Sequence, residues 1–599
     1  MHWQPTARRG RCRRRWLARG MRAHWGVSRG HQHILGSQPT RLGQTSSGGA
    51  GSWRYQPHHR STCQPLPRWQ LPPRQTGTGI PVGSTIRGAS RPGNGTGDQA
   101  CRSRPSHLRR AKPTMRQYVP VPQPDPCWTR SVFVAGWQPV TGELAVTSPF
   151  SGRRLAVVGM CSTREVDQAL AASLAAQREW AAVRQERITV LSAAADNVSA
   201  NRDELVAWLI HETGSSVAKA QLEVDLVTAE LREAAELAKL NLDRPLPGGK
   251  RQSTTHRVPI GIVAVIAPFN FPAHLAIRAI APALALGNAV VLKPHPYATI
   301  SGGLWLAGMF EATGLPPGVL SVIPGDAEIG EALVADPRVG QVTFTGSTAV
   351  GQWIAEVAAR RLTPTLLELG GNNALVVLRD ADIELAATCG GFGSFYHQGQ
   401  VCMSTGRHLV HESRIEAYVQ ALTNYASRLQ VGDPADPKND LGPLINARQL
   451  AQVDDLVRRS IATGSELVWG GTTSGLCYQP TVLIDSTRKS PAWQEEIFGP
   501  VAVVAPFSDD QDVVTLVNEQ GPGLVASILC ADVDHGAQLG ARISCGIVHV
   551  NEPTVDYQIG APFGGWGSSG NSTIGDHTSN VANFTKSKWF TRRPTMPQR

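Results

Sequence analysis

The stretch Val342-Thr-Phe-Thr-Gly-Ser-Thr-Ala-Val-Gly351 joins a short apolar run to a glycine turn and then to a helical pattern. We predict a strand over residues 342–345, a glycine turn over residues 346–351, and a helix over residues 352–360. The free N–H groups and positive dipole end of such a helix suit a phosphate, here a pyrophosphate. By itself the pattern is weak, because a tight turn explains two glycines as well.

Similar strand and helix units lie on both sides of this stretch. Short apolar runs at residues 261–267, 289–293 and 319–323 each precede a helical run, and a second alternating set occupies residues 374–506 and 526–551. Strands that alternate with helices form mostly parallel sheets covered on both faces. Ligands bind at the carboxyl ends of such strands. The sequence therefore predicts an α/β fold of two open α/β domains that meet at a cleft.

Two further segments precede these strands. Residues 162–242 carry Ala and Leu at helical spacing, which predicts long amphipathic helices. Residues 243–259 change to Pro, Gly and alternating polar residues, which indicates a protruding hairpin. Hairpins of this kind often form subunit contacts.

The net charge of +11 comes from the first 114 residues. This basic leader holds 21 Lys and Arg residues against one acid, Asp98, whereas the remainder holds 37 bases and 46 acids. Its composition, without helical or strand periodicity, predicts disorder. A nucleic-acid-binding arm and a transit peptide are alternatives. We favour a leader that is not part of the natural enzyme, and we expect no nucleic-acid partner.

The ten cysteines are scattered, without a CxxC pair or a His/Cys metal spacing. A reducing cytoplasm fits this usage best, and no metal is expected. The most apolar stretch, residues 260–292, contains Pro268, Asn270, Pro272 and Arg278, which are incompatible with a lipid-facing helix. No membrane span is expected either.

Two candidate reactive side chains follow the glycine turn. Glu368 lies within Leu366-Leu-Glu-Leu-Gly-Gly-Asn372, where desolvation would raise its carboxyl pKa toward the value that a general base needs. A salt-bridged or helix-capping Glu is an equal alternative. Cys402 ends a glycine-containing turn beside polar side chains and is a candidate nucleophile, although most lone cysteines are packing residues.

Seven motifs, taken together and in order, resemble the aldehyde dehydrogenase superfamily. They are Pro268-Phe-Asn-Phe-Pro272, Lys293-Pro294, Phe344-Thr-Gly-Ser347, Glu368-Leu-Gly-Gly371, Gly399-Gln-Val-Cys402, Glu496-Ile-Phe-Gly-Pro500 and Pro562-Phe-Gly-Gly565. The match covers residues 115–599, and the leader has no counterpart. Residues 394–408, 548–551 and 564–570 are most similar to bacterial benzaldehyde and vanillin dehydrogenases. The resemblance implies a Rossmann-type cofactor domain, a second α/β catalytic domain and a small oligomerisation hairpin.

The resemblance also implies NAD(P)-dependent oxidation of an aldehyde to the carboxylic acid. Cys402 would attack the aldehyde carbon, and the Asn270 amide and the Cys402 backbone N–H would hold the oxyanion. Glu368 would then activate the water that hydrolyses the thioester. NAD or NADP would be bound by Lys293, Gly346, Ser347, Gly351, Glu496 and Phe498.

The similarity to aryl aldehyde dehydrogenases implies a flat apolar slot. Phe271, Tyr396 and Trp566 are expected to form its walls, with ordinary core packing as the alternative. Oxidation of an aliphatic aldehyde or semialdehyde, a CoA-acylating reaction and a catalytically silent homologue remain open. Glu368 argues against the CoA-acylating relatives, which typically lack this glutamate.

The chain departs from well-studied members of the superfamily at two places. Pro296 stands where they often carry a glutamate that binds the ribose 2′-hydroxyl, so NADP is expected to be accepted as well as NAD. Ala279 and Ile574 replace a Lys and a Glu that relay a proton to the general base. The proton's exit route from Glu368 is therefore undetermined by the sequence.

The resemblance also suggests domain bounds. We expect the NAD(P)-binding domain at residues 115–242 and 258–369 and the catalytic domain at residues 370–572. Residues 243–257 and 573–599 would form an oligomerisation arm that joins subunits into a homodimer or homotetramer.

Overall fold

Two seven-stranded sheets form the framework of the computed structural model, which describes residues 118–247, 251–593 and 595–596. The predicted leader, residues 1–114, lies outside the described residues. So do residues 248–250, 594 and 597–599, which fall in or next to the predicted arm.

The first sheet confirms the predicted mostly parallel arrangement. Five neighbouring strands are parallel, and two antiparallel strands extend one edge. In spatial order the strands are Thr365–Leu369, Val339–Gly346, Ile262–Ile266, Ala289–Lys293, Leu320–Val322, Ser131–Val134 and Trp137–Pro139.

This sheet is buried on both faces. Val263 and Val265 pack into one apolar cluster, whereas Ile262 and Ala264 pack into another on the opposite face, as the two-residue repeat of a strand requires. The helices of this half are Thr163–Ala182, Arg184–Ala200, Arg202–Thr213, Val217–Lys239, Pro272–Ala285, Trp305–Ala312, Ala327–Ala335 and Thr348–Ala359. The first four confirm the helical pattern predicted over residues 162–242.

The second sheet belongs to the other half of the described chain. One edge strand is antiparallel and the other six strands are parallel. In spatial order they are Glu466–Trp469, Thr481–Ile484, Val501–Phe507, Thr405–His411, Asn373–Val377, Gly523–Leu529 and Cys545–Val550. The helices around it are Ile383–Phe395, Ile415–Arg428, Ala447–Ala462, Pro491–Gln494, Asp510–Asn518 and Val533–Gly540.

The predicted hairpin is the core of a third, smaller sheet. Arg244–Leu246 pairs with Gln252–Pro259, and the C-terminal strand Thr585–Arg592 pairs along the other edge of Gln252–Pro259. The helix His577–Phe584 leads into that strand. Two short hairpins complete the strands, Gly142–Thr147 with Arg154–Met160 and Thr473–Ser474 with Cys477–Tyr478. Within the described ranges, no helix is both long enough and apolar enough to cross a bilayer.

Candidate active site

Cys402 follows an unusually tight turn. In the short helix Tyr396–Gly399, His397 and Gln398 have φ of 51° and 57°, and Gly399 has φ of 67°. Non-glycine residues rarely adopt this conformation, so the surrounding structure must hold it in place. A Cβ at Gly399 would lie 2.1 Å from the Gly499 carbonyl oxygen, which restricts that position to glycine.

The backbone at the cysteine is fixed from the neighbouring strand. The Asn373 side-chain amide donates to the carbonyls of Cys402 and Ser404, at 2.8 and 2.9 Å. Asn373 begins the strand Asn373–Val377 of the second sheet. The turn and this anchor together present the thiol at a defined position.

Asn270 reaches the cysteine loop from the other half of the molecule. It lies between the strand Ile262–Ile266 and the helix Pro272–Ala285, is 4% exposed, and donates its side-chain amide to the Gln400 carbonyl at 2.8 Å. A side-chain amide has two N–H groups, and this hydrogen bond uses one of them.

Glu368 is a buried carboxylate without hydrogen-bond donors. It is the last residue but one of the strand Thr365–Leu369, is 4% exposed, and neither of its oxygens has a partner in the described part of the chain. Burial raises the pKa of Glu368 to about 8, against the opposing effect of the Arg278 guanidinium. A carboxyl group with this pKa can exchange protons near neutral pH, as a general base must.

Arg278 is a functional candidate that the sequence reasoning missed. It is 3% exposed on the helix Pro272–Ala285, and its guanidinium lies 4.4 Å from the centroid of the Phe563 ring. Burial raises the pKa of the Cys402 thiol to about 12, and the Arg278 charge is the largest opposing influence. The signal was visible as a cation within an otherwise apolar helix, which we used only to exclude a membrane span.

An apolar cluster adjoins Cys402. We call it the aryl cluster. Its buried members are Phe271, Leu275, Val401, Met403, Leu524, Val525 and Phe563, and the partly buried ones packed against them are Tyr396, Cys402, Ile547, Val555 and Tyr557. The predicted wall residues Phe271 and Tyr396 are both in this cluster.

The third predicted wall residue, Trp566, is not in the aryl cluster. Its side chain is 52% exposed and lies beside Gly546, while its backbone N–H donates to the Gly523 carbonyl at 3.0 Å. Gly565 packs tightly against Ser569, and this turn leaves the indole at the surface. Phe563 and Tyr557 supply the aromatic surface that we had expected from Trp566.

The carboxyl ends of four neighbouring strands lie together at one edge of the first sheet. Thr345 pairs with Glu368, Phe344 with Ile266, and Ile266 with Lys293. The strand Val339–Gly346 then turns at Ser347 into the helix Thr348–Ala359, so the predicted order is correct but the helix begins four residues earlier than predicted. The N-terminus of that helix offers unpaired N–H groups at this edge.

Two predicted cofactor residues at this edge have distinct environments. Lys293 is 6% exposed, and burial lowers its pKa to about 8. A Cβ at Gly351 would lie 2.5 Å from the Leu369 side chain. Gly351 therefore allows the helix to pack closely on the neighbouring strand.

Glu496 and Phe498 come from the second half of the chain. The Glu496 carboxylate lies against Gly370, where a Cβ would be 2.1 Å from Oε2. Its Oε1 is buried without a partner among the described residues, and burial raises its pKa to about 7. Phe498 has φ of 52°, and its ring centroid lies 5.9 Å from that of Phe269. An unsatisfied acceptor beside a glycine cradle fits the ribose of a dinucleotide.

A thiol, a buried carboxylate and a side-chain amide thus come together in an α/β fold with two mostly parallel sheets, which is the arrangement expected of a cysteine-dependent dehydrogenase. The family described as "Aldehyde dehydrogenase family" matches residues 137–590. The chain belongs to this family and is an aldehyde dehydrogenase. This result confirms the resemblance seen in the sequence and the predicted fold class.

Individual relatives agree with this assignment. The chain is 45% identical over 473 residues to a vanillin dehydrogenase of an Amycolatopsis species, covering 78% of this chain and 97% of the relative. It is 39% identical over 469 residues to the benzaldehyde dehydrogenase [NAD(+)] of Pseudomonas putida, covering 78% and 96%. Among solved structures, aldehyde dehydrogenase C of Pseudomonas syringae in complex with NAD+ and octanal matches with a TM-score of 0.75 at 29% identity, covering 78% and 98%. An NADP-dependent enzyme of E. coli matches with a TM-score of 0.76 at 30% identity, with the same coverage.

Proposed function

We propose that this aldehyde dehydrogenase oxidises aromatic aldehydes of the benzaldehyde and vanillin type to their carboxylic acids, with NAD or NADP as oxidant. The observation that carries the proposal is the aryl cluster beside Cys402, in which Phe271, Tyr396, Tyr557 and Phe563 supply aromatic surface. Aromatic side chains favour flat apolar ligands through edge and stacking contacts. The relatives named vanillin dehydrogenase and benzaldehyde dehydrogenase support the same substrate class.

Reaction begins at Cys402. Burial raises the pKa of the Cys402 thiol to about 12, the Arg278 charge is the largest influence that favours the thiolate, and the thiol proton is released to water. The thiolate adds to the aldehyde carbon, and the Asn270 amide and the Cys402 backbone N–H hold the oxyanion. Donors of this kind contribute about 3–4 kcal/mol of transition-state stabilisation.

Bound NAD or NADP would supply the hydride acceptor for the carbon attached to Cys402, and this two-electron oxidation would leave a thioester on Cys402. Glu368 then removes a proton from a water molecule that attacks the thioester carbonyl, and the carboxylic acid departs as the thiol re-forms. A buried base without hydrogen-bond donors suits this step, because no competing partner holds its lone pairs.

The cofactor would be held by residues that already converge at the strand ends. Lys293 and Glu496 would bind the two riboses, Gly346 and Ser347 would contact the pyrophosphate at the helix N-terminus, and Phe498 would pack on the nicotinamide side. Pro296 begins the short helix Pro296–Ala298, three residues after Lys293. With no carboxylate at that position, both NAD and NADP would be accepted.

A second candidate is the oxidation of an aldehyde with an acidic group, such as a semialdehyde. The buried Arg278 favours it, since a cation beside the aryl cluster could pair with a substrate carboxylate. Against it, Arg278 already faces the negative charges of Glu368 and Glu230.

A substrate panel distinguishes the two candidates. Benzaldehyde, vanillin, salicylaldehyde and succinic semialdehyde are each assayed with NAD and with NADP. We expect kcat/KM for the aryl aldehydes to exceed that for succinic semialdehyde by about 100-fold, a difference of roughly 2.7 kcal/mol. A preference for succinic semialdehyde would overturn the aryl proposal.

We also propose that the chain forms a homodimer or homotetramer through the three-stranded sheet, and we retain the domain bounds given above. Trp589 and Phe590 on the strand Thr585–Arg592 are 60% and 53% exposed, which suits an apolar subunit contact. Light scattering of the wild type and of Trp589→Glu/Phe590→Glu tests this, with a smaller particle expected for the variant. A cytoplasmic location is proposed as well, supported by the seven cysteines of the described part, all of them free.

A further inference from the structure

A buried ion pair lies beside the proposed oxyanion site. Lys219 and Glu223 are one turn apart on the helix Val217–Lys239, and neither side chain has any exposed area. Lys219 Nζ lies 2.5 Å from Glu223 Oε2. The reaction proposed above uses neither residue.

Both side chains also form hydrogen bonds with the backbone of the segment that starts at Asn270. Lys219 Nζ donates to the Asn270 backbone carbonyl at 2.6 Å and lies 4.2 Å from the centroid of the Phe271 ring. Glu223 Oε1 accepts from the backbone N–H groups of Ala273 and His274, at 2.9 and 3.2 Å. The pair therefore holds the backbone on both sides of Phe271.

The Glu223 contacts supply a cap that the helix Pro272–Ala285 lacks. Its N-cap residue, Phe271, makes no side-chain capping hydrogen bond, and Pro272 has no N–H. The next two N–H groups would be orphaned without Glu223. The start of this helix is thus fixed from a different helix.

Stability alone is a weak reason for such a pair. Desolvation of two charges offsets much of their attraction, and apolar residues of similar volume often serve a fold as well. Apolar residues cannot, however, hold a carbonyl and two N–H groups at fixed positions. The orientation of the Asn270 peptide decides where the side-chain amide points, and that amide already reaches the Gln400 carbonyl, two residues before Cys402.

We propose that Lys219 and Glu223 are positioning residues, which fix the Asn270 backbone so that its side-chain amide faces the oxyanion formed at Cys402. The inference rests on the oxyanion role proposed above for Asn270. Lys219 supplies the donor that orients the Asn270 carbonyl, and Glu223 both neutralises Lys219 and anchors the following helix.

The test uses the full chain with both charges removed together, in Lys219→Met/Glu223→Gln, so that no unpaired charge is left buried. Glu223→Gln alone is the second variant, since it keeps a side-chain acceptor. Glu212→Gln is the matched control, because Glu212 is another buried carboxylate that accepts two backbone N–H groups, those of Ile300 and Ser301, and it has no contact with Asn270 among the described hydrogen bonds.

Two rates and one dissociation constant are measured for each variant. They are single-turnover NADH formation from benzaldehyde, alkylation of Cys402 by iodoacetamide, and the Kd for NAD. We expect NADH formation to fall by about tenfold or more in the pair variants and to stay at the wild-type rate in Glu212→Gln. Alkylation and the Kd should stay within about twofold of wild type, because alkylation forms no oxyanion.

The decisive comparison adds Asn270→Ala. If the Lys219–Glu223 pair acts through Asn270, removal of the pair lowers the rate of NADH formation little further in the Asn270→Ala background. The two losses are then not additive. Losses that multiply, or a pair variant with wild-type NADH formation beside a slow Asn270→Ala, overturn the inference. If Asn270→Ala itself has the wild-type rate, the oxyanion proposal fails and the inference loses its basis. If the double variant does not fold, Glu223→Gln gives the same readouts.

Discussion

Two buried carboxylates in the same half of the molecule differ in what surrounds them. Glu212, at the end of the helix Arg202–Thr213, accepts the backbone N–H groups of Ile300 and Ser301 at 2.8 and 2.7 Å. Glu368 is almost as deeply buried, yet neither of its oxygens has a partner within the described residues. Burial raises both pKa values, to about 7 for Glu212 and about 8 for Glu368.

The difference teaches that burial and a raised pKa do not by themselves mark a catalytic acid or base. The lone pairs of Glu212 are already used to hold a neighbouring segment, which is a structural role. Those of Glu368 are unused, beside a thiol and a cation, and an unsatisfied buried group needs a reason. At Glu368 the reason is function: its free oxygens can bind a ligand or a water molecule, or accept a proton during the reaction.

The largest expected effect is that of replacing Cys402, whose thiol lies near Glu368. Cys402→Ala should lower NADH formation by at least about 10⁴-fold, because no other group can form the thioester. Cofactor binding, measured by fluorescence titration, should remain. Cys389→Ala is the matched control, since Cys389 is also a partly buried free cysteine and should be dispensable. Substantial turnover by Cys402→Ala would refute covalent catalysis.

Exchange of each carboxylate for an amide is expected to separate the two roles. Glu368→Gln should slow thioester hydrolysis by about 10²–10⁴-fold, so that a burst of NADH precedes a slow steady state. Glu212→Gln should keep the wild-type rate but lose about 1–3 kcal/mol of unfolding free energy, since one backbone N–H loses its charged acceptor. Stopped-flow absorbance and urea denaturation measure the two effects.

The opposite pattern would break the comparison. A Glu368→Gln enzyme without a burst would mean that Glu368 acts before hydride transfer. Restoration of turnover by added CoA, with acyl-CoA as product, would instead indicate the CoA-acylating reaction that the sequence left as an alternative.

The pH dependence gives a smaller effect with a definite sign. Since burial raises the pKa of Glu368 to about 8, its carboxyl group is mostly protonated at pH 7 and becomes a competent base as the pH rises. Thioester hydrolysis should therefore increase about tenfold from pH 6 to pH 7 and level off above pH 8. Glu368→Gln should lack this rise, whereas Glu212→Gln should keep it. A pH-independent wild-type rate over this range would contradict the assignment.

Arg278 sharpens the same measurement. Its charge lowers the pKa values of both Glu368 and Cys402. In Arg278→Gln, the pH at which thioester hydrolysis rises should therefore be higher by about one unit, roughly 1.4 kcal/mol. Arg278→Lys keeps a positive charge and should move it less. An equal shift in both variants would indicate lost packing on Phe563 in place of lost charge.

The sequence predicted the strands and helices around this site better than the contacts between distant residues. The alternation of apolar runs and helical patterns was enough to predict the parallel strands, although the helix after Val339–Gly346 begins at Thr348, four residues before its predicted start. The motif resemblance singled out Cys402, Asn270 and Glu368, whose catalytic roles stay predictions. The strand Thr585–Arg592 was not predicted, because its partner, Gln252–Pro259, lies more than 300 residues away in the chain and local patterns do not carry such pairings.

Side-chain direction was the other part that sequence reasoning missed. Trp566 was expected in the substrate slot from its residue type, but the turn at Gly565 leaves the indole exposed. Arg278 was missed because a charge in a mostly apolar helix has no recognisable partner in the sequence, and the Lys219–Glu223 pair was missed because its helix carries many charges and the sequence does not show which of them are buried.

The smallest expected effect concerns the predicted binding site of the cofactor ribose. In contrast to the two buried glutamates, the feature of interest here is the absence of a carboxylate. Pro296 begins a short helix three residues after Lys293, and Pro296→Glu would place a negative charge where an NADP 2′-phosphate is expected. Repulsion of about 1–2 kcal/mol should lower kcat/KM for NADP by about tenfold while that for NAD changes less than about threefold. Pro296→Gln is the control, since it removes the proline ring without adding charge. Equal losses in both variants would show that the rigid backbone of Pro296, and not the absence of a carboxylate, governs how NADP is accepted.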